Sequence, residues 1–284
     1  MTRPLRIEYP GALYHITSRG NQKKDIFVSD ADRVMFLRTL SAMIKKYHWK
    51  CYAYCLMSNH YHLLVETVHG ELSRGMRDLN GIYTQQYNKR HATVGHILQG
   101  RFSAFLIEKE TYFFTVARYI VLNPVRAGLV KLPEEYPWSS YRQTIGLDRC
   151  QAFLSAKDFL QNFADDRKNA RLTYRDFVLE GRGSPSPLLE CGRGRVLGSP
   201  QFITQIWSQT DDFFQERPEN AKEEKLLGRP LLTDLFVDEM SLHDRNVAIS
   251  IAIKTCGYSN IAVARLLSLS PASVSMILKK TIEH

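Results

Sequence analysis

The spacing of hydrophobic and polar positions changes several times along the first 130 residues. "ALYHITSRG" (12–20) alternates, with Leu13, His15 and Thr17 on one face and Tyr14 and Ile16 on the other, which predicts a strand. In "SDADRVMFLRTLSAMIKKYHW" the period lengthens to that of a helix. Ser29 is placed to cap it, Asp30 and Asp32 lie in its first turn, and Val34, Leu37, Leu40, Ile44 and Tyr47 form an apolar stripe. "CYAYCLM" and "HYHLLVE" are two β-type runs parted by Ser58 and Asn59, a break suited to a hairpin. Helical spacing returns in "ELSRGMRDLNGIYTQQYNKRH", through Leu72, Met76, Leu79, Tyr83 and Tyr87; the two tyrosines are expected in the core or as stacking residues. "FSAFLIEKE" predicts a strand, and "TYFFTVARYIVLNPVRAGLV" a helix disturbed near Pro124. The order β-α-β-β-α-β-α is an α+β, ferredoxin-like order (βαββαβ) with one helix added. That fold hosts many functions and proves none.

From about 133 to 190 the pattern weakens, and "PEEYPWSSYR" and "LTYRDFVLEG" are expected to be short elements padding the main domain. "GRGSPSP" and "CGRGRVLGSP" concentrate Gly, Pro, Ser and Arg and mark a linker. The expected division is therefore 1–145 for the main domain, 146–198 for an extension and linker, and 199–284 for a helical domain. In the last segment "DRNVAISIAIKTCG" precedes "YSNIAVARLLSLSPASVSMILKK". Ser259 is placed to cap a helix carrying Ile261, Ala264, Leu266 and Leu267; "SLS" is a short turn. Pro271 suits the first turn of the next helix, which carries Val274, Ile277 and Leu278. Two helices across a short turn, with five basic residues against one acid from Arg245 onward, fit a helix-turn-helix. An ordinary helical hairpin fits the same pattern. In the first case Ser270, Ser273, Lys279 and Lys280 are candidate DNA contacts.

Composition narrows the partners. The 284 residues carry a formal net charge of +9, and the sequence pI is about 9.3, which points to a polyanion, although charge serves solubility too. No run of about 18 apolar residues and no signal-type apolar stretch at the N-terminus is present, so a cytoplasmic protein is expected. Cys51, Cys55, Cys150, Cys191 and Cys256 are odd in number and dispersed, unlike a disulfide framework. Cys51 and Cys55 raise the question of zinc, but four strand residues span about 13 Å, too far for both sulfurs to reach one ion.

The chemistry concentrates in "SNHYHLLVET" (58–67). On a strand, His60 and His62 share a face about 6.5 Å apart, and Tyr61 points to the other and packs. Two imidazoles so placed can close on one metal ion, or can simply pack. "RYIVLNP" puts Tyr119 and Asn123 one helical turn apart. A phenol can act as a covalent nucleophile and an amide oxygen can ligate a hard divalent cation. A metal beside a tyrosine suits cleavage of a phosphodiester; a half-buried helix tyrosine is the plain alternative. Arg19, Gly20, Asn21, Lys23 and Lys24 after the first strand, with Arg101 before the last, form a basic Gly-containing set able to approach phosphates, or else a solvated loop.

"PGALYHITSRGNQKKDIF", "YCLMSNHYHLLVE", "GRFSAFLIE" and "ARYIVLNPVRAGLV…YPWSSYR" together resemble, in the expected order over about residues 8 to 142, the single-tyrosine HUH transposases, more narrowly the REP-associated tyrosine transposases. The C-terminal part resembles the helix-turn-helix of bacterial replication initiators. The resemblance implies His60 and His62 as metal ligands, Tyr119 as nucleophile and Asn123 as third ligand, with Mg²⁺ or Mn²⁺ as the ion. The family often carries glutamine at that last position, and asparagine has a shorter reach. The implied activity is cleavage and rejoining of single-stranded DNA at hairpin-forming repeats through a 5′-phosphotyrosine, by a monomer or a homodimer. Two other readings remain open at this point: a non-catalytic DNA-binding regulator using the C-terminal helices, and a zinc-stabilised regulator using Cys51 and Cys55.

Overall fold

A computed structural model describes residues 7–191, 195–215, 232–236, 240–255, 258 and 260–280. The chain divides into two units, Met1–Gly183 and Ser184–His284.

The first unit runs β1 (Ala12–Arg19), α1 (Asp30–Tyr47), β2 (Trp49–Leu56), β3 (His60–Thr67), α2 (Leu72–His91), β4 (Ser103–Ile107) and α3 (Lys109–Arg126). Its strands pair in the order β2-β3-β1-β4, every pairing antiparallel. This is the expected ferredoxin-like α+β arrangement with α3 as the added helix. Side chains alternate across the sheet. Tyr14, Ile16, Tyr61 and Leu63 therefore project to one side, where Tyr61 packs on Phe36 of α1 (ring centroids 4.6 Å). His15, His62 and Phe105 project to the other side, beside Tyr119 of α3.

Helix α1 begins where its composition says it should, yet its buried face is rotated from the expected stripe. Phe36, Leu40, Met43, Ile44 and Tyr47 are buried, whereas Val34 is 38% exposed. Three apolar sets compete on this helix, and the one that reaches the sheet through Phe36 wins because an aromatic ring buries the most area there. At its N-terminus the carboxylate of Asp32 accepts from the backbone N–H of Val28 (3.1 Å) and Ser29 (2.9 Å) and from the Ser29 hydroxyl (3.1 Å). Its other oxygen meets His91 (2.9 Å) and Arg90 (3.2 Å) at the end of α2.

Residues 146–183 fall in the same unit, beyond the expected bound of the main domain at 145, and the two units part inside "GRGSPSP" (181–187). Helices α4 (Tyr141–Ile145), α5 (Ala156–Leu160) and α6 (Arg167–Glu180) carry the reason. Phe159, Phe163 and Tyr174 form an aromatic cluster with Phe113 and Phe114 of α3, at ring-centroid distances of 5.2–5.7 Å. Helix α3 is thus held between the sheet and a second aromatic layer. Nor is it broken at Pro124: it runs on to Arg126.

The second unit contains β5 (Val196–Leu197), α7 (Pro200–Gln215), α8 (Leu232–Leu235), α9 (Leu242–Ser250) with a π turn at Ile251–Thr255, α10 (Asn260–Leu267) and α11 (Pro271–Lys280). Leu235, Ile249, Ala252, Val263, Ala264 and Val274 form its core, with Leu267, Ile277 and Leu278 packed against it. Ile261 (62% exposed) and Leu266 lie outside that core, contrary to expectation, because the short α10 presents Val263, Ala264 and Leu267 inward instead. Between α10 and α11 the direction changes by 110°, within the usual helix-turn-helix range. Ser259 and the side chains of Lys279 and Lys280 lie outside the described residues. Among the described residues no single helix is long and apolar enough to cross a membrane.

Asp32 has no exposed side-chain surface. Desolvation pushes its carboxyl up, but hydrogen bonds from His91 and Ser29 outweigh this and hold it below the usual range. A depressed folded-state value means stabilisation that is present above the ordinary Asp range and lost as pH falls through the folded value. Asp32→Asn is expected to cost about 2 kcal/mol at pH 7. In urea titrations the gap from wild type should close as the pH is lowered below the ordinary Asp range.

Candidate active site

In the β1–β3 register Thr17 lies opposite His62 and Arg19 opposite His60. The two histidines of "HYH" therefore sit at the end of β3, next to the β1 terminus. Their rings are 4.9 Å apart between centroids and nearly perpendicular. His60 is half-buried, and its Nδ1 meets Asn59 Oδ1 at 2.6 Å. His62 is buried.

A third histidine completes the group. His15 is fully buried and stacked on His62 (centroids 5.1 Å, interplanar angle 9°), and its Nε2 lies 2.9 Å from His62 Nδ1. Sequence reading placed His15 on this face of β1 and assigned it no role, because only the strand register brings it to His62. Burial, with His60 nearby, pushes His15 down to about 3 and His62 well below the usual imidazole range. Both rings are therefore neutral near pH 7, with one proton each. The hydrogen bond uses one nitrogen of each. The other nitrogens, His62 Nε2 and His15 Nδ1, are buried without a hydrogen-bond partner.

Helix α3 brings Tyr119 to the same place. Its ring meets His15 and His62 edge-on, at 5.9 and 6.2 Å between centroids, and the Arg126 guanidinium lies 5.4 Å from its centre. One turn on, Asn123 resolves a local problem. Pro124 has no N–H for the carbonyl of Ile120. The Asn123 side-chain amide donates to that carbonyl (3.4 Å) and to Tyr119 O (3.0 Å). Since carbonyl oxygens only accept, Nδ2 must face the helix, and Oδ1 is the outward atom.

Residues 9–123 match the family described as "Transposase IS200 like", a stretch that begins just before β1 and ends at Asn123. One solved structure, described as a REP-associated tyrosine transposase bound to a REP hairpin, is similar at 17% identity and a TM-score of 0.45, over 51% of this chain and 86% of that one. No curated protein matches the chain.

The first unit also gathers most of the basic candidates at the His60 end of its sheet. Gly20 N bonds Asn59 O (2.7 Å), and Asn21 N bonds Ile97 O (2.8 Å). The Asn59 amide donates to Lys23 O (3.3 Å). Gly20 is required by close approach: a Cβ there would stand 1.9 Å from the carbonyl oxygen of Lys24. Arg19 donates to Gln99 at 3.5 Å, and Arg101 follows in the same 97–101 segment. Ser270 and Ser273 lie in the other unit, where the Ser270 hydroxyl caps α11 by accepting from Ser273 N (3.0 Å).

Cys51 and Cys55 are buried, and burial pushes both thiols up, Cys51 to about 12. Among the described residues no group of three or more His, Cys, Asp or Glu is arranged to hold a metal ion. The zinc reading thus finds no cysteine-containing ligand set there. What the His62 and Asn123 side chains offer is a buried Nε2 without a hydrogen-bond partner and an Oδ1 turned away from its own helix.

Tyr61, between the two histidines, faces away from the site and donates to Asn80 Oδ1 at 2.6 Å. Tyr61→Phe is expected to leave DNA processing intact and to cost about 1 kcal/mol of stability. Parallel cleavage assays and denaturation curves check both halves.

Proposed function

We propose that the first unit is an IS200-like transposase domain, a metal-dependent single-stranded DNA endonuclease and strand transferase that acts at hairpin-forming repeats through a 5′-phosphotyrosine intermediate. The observation that carries this reading is the contact of the Tyr119 ring with the ring of His62, whose buried Nε2 has no hydrogen-bond partner. The hairpin substrate itself rests on the sequence resemblance.

His60, His62 and Asn123 would hold a divalent ion, Mg²⁺ or Mn²⁺. Bound there, it supplies positive charge to a non-bridging oxygen of the scissile phosphate. The rest falls to the chain's own residues. Tyr119 Oη attacks phosphorus and loses its proton, while the bond to the 3′-oxygen breaks and that oxygen takes up a proton. One phosphodiester is exchanged for another, so the reverse attack by a 3′-hydroxyl rejoins DNA without a nucleotide cofactor. Arg126 adds a cation beside the nucleophile and the incoming phosphate. Arg19, Asn21, Lys23, Lys24 and Arg101 contact the backbone of the bound strand. The Tyr119 ring lies 6.2 Å from that of His62 in the same chain, and we read the tyrosine as acting on its own subunit's histidines, in a monomer or a dimer alike. Action on DNA is consistent with the cytoplasmic location expected from the sequence.

For His62 to present a lone pair at Nε2, its single proton must sit on Nδ1 and be donated to His15 Nε2. His15 is thus a positioning residue that sets both the tautomer and the ring plane of His62. In the second unit, the 110° turn and capped α11 support a helix-turn-helix reading duplex DNA, with Ser273, Lys279 and Lys280 as contacts. If that were the whole function, cleavage would be absent across metals while DNA binding persisted.

With Mn²⁺ and labelled hairpin DNA, wild type should form a covalent protein–DNA adduct and Tyr119→Phe none. An adduct surviving in Tyr119→Phe removes the assignment. His15→Phe should weaken Mn²⁺ binding in calorimetry about 10–100-fold, with the fold retained. His15→Gln, which restores an acceptor, should recover part of that loss. Nitrogen NMR of histidine-labelled protein should show the His62 Nδ1 proton in wild type, and its loss to Nε2 in His15→Phe.

A further inference from the structure

A groove of about 650 Å³ in the first unit plays no part in the site above. Arg167, Lys168, Arg171 and Arg175 line it from α6. Spaced at i, i+1, i+4 and i+8, they share one helical face. The only acid lining it is Glu134, and it pairs with Arg175 at 3.4 Å. Arg167, Lys168 and Arg171 form no ion pair among the described residues; the nearby Asp166 carboxylate is engaged by the backbone N–H groups of Lys168 and Asn169 as the cap of α6.

One feature distinguishes this face from a solvated basic helix: Arg171 is seated in it. Its guanidinium lies over Gly146, where a Cβ would stand 2.3 Å from Cζ, and its Nε is buried without a hydrogen-bond partner. Between the cations, Leu147 and Leu172 are 58% and 49% exposed. Cations interleaved with apolar side chains match a polymer of phosphates and sugars better than a single small anion.

We propose that this groove is a second DNA-binding surface, gripping the phosphate backbone of the strand that continues beyond the cleaved segment. It rests on the reading that the unit acts on DNA. Its helix packs on α3, where Arg118 donates to Phe177 O (3.2 Å), so groove and nucleophile are carried by one aromatic-cored unit.

The test uses the full chain and two probes: a bare DNA hairpin, and the same hairpin with a flanking single strand of about 20 nucleotides. The triple variant Arg167→Ala, Lys168→Ala, Arg171→Ala should bind the extended probe more weakly. The slope of log affinity against log salt should fall by roughly 2–3, as expected for three lost phosphate contacts. The charge-conserving variant Arg167→Lys, Arg171→Lys should keep that slope. Adduct formation on the bare hairpin should match wild type in both. Unchanged affinity and slope for the extended probe overturn the proposal, as does a loss seen only with an RNA version of that probe. Absence of any adduct in wild type strikes the nuclease reading instead, and the salt slopes still decide the groove.

Discussion

The antiparallel register of β1 against β3 is the constraint on which the site depends. With Thr17 opposite His62, the side chains of His15 and His62 emerge on one face, close enough to stack and share a hydrogen bond. A slip of one residue would send His62 to the α1 side and bring Tyr61 to the α3 side. The register is protected because each face buries a different aromatic set. Tyr61 meets Phe36 and Asn80 on one side, and Phe105 and Tyr119 close over the histidines on the other.

Burying two imidazoles together is costly for charge and tolerable for neutral rings. The consequence is chemical. A neutral pair joined through one nitrogen each leaves two nitrogens over, on rings that both meet Tyr119 edge-on. The rigidity of that arrangement comes from α3. On its far side Phe113 and Phe114 are locked into the aromatic cluster of α5 and α6, and at its end Asn123 covers the carbonyl that Pro124 leaves without a donor. The residues after 145 are therefore part of what holds the nucleophile in place.

Much of this was legible in the chain. The β-α-β-β-α-β-α order followed from changes of hydrophobic period, and the HxH spacing placed two imidazoles on one face of a strand. Tyr119 and Asn123 fell one helical turn apart in "RYIVLNP". The buried face of α1 was less legible, since Val34 and Phe36 both fit helical stripes and only packing against the sheet chose Phe36. The boundary at 145 misled for a similar reason: residues 146–183 have weak local periodicity because their aromatic side chains are spaced for contact with α3 rather than for a regular face of their own.

Sequence alone determined the element types, the pairing of His60 with His62 and the pairing of Tyr119 with Asn123, because each depends only on rise and turn per residue along one element. It could not determine which partner His62 would have. That required the pairing of strands 47 residues apart, and His15 stayed an ordinary strand residue until β1 and β3 were aligned. The orientation of Asn123 and the seating of Arg171 over Gly146 were likewise decided in three dimensions. Each depends on which polar atoms are left without a neighbour once the chain has packed.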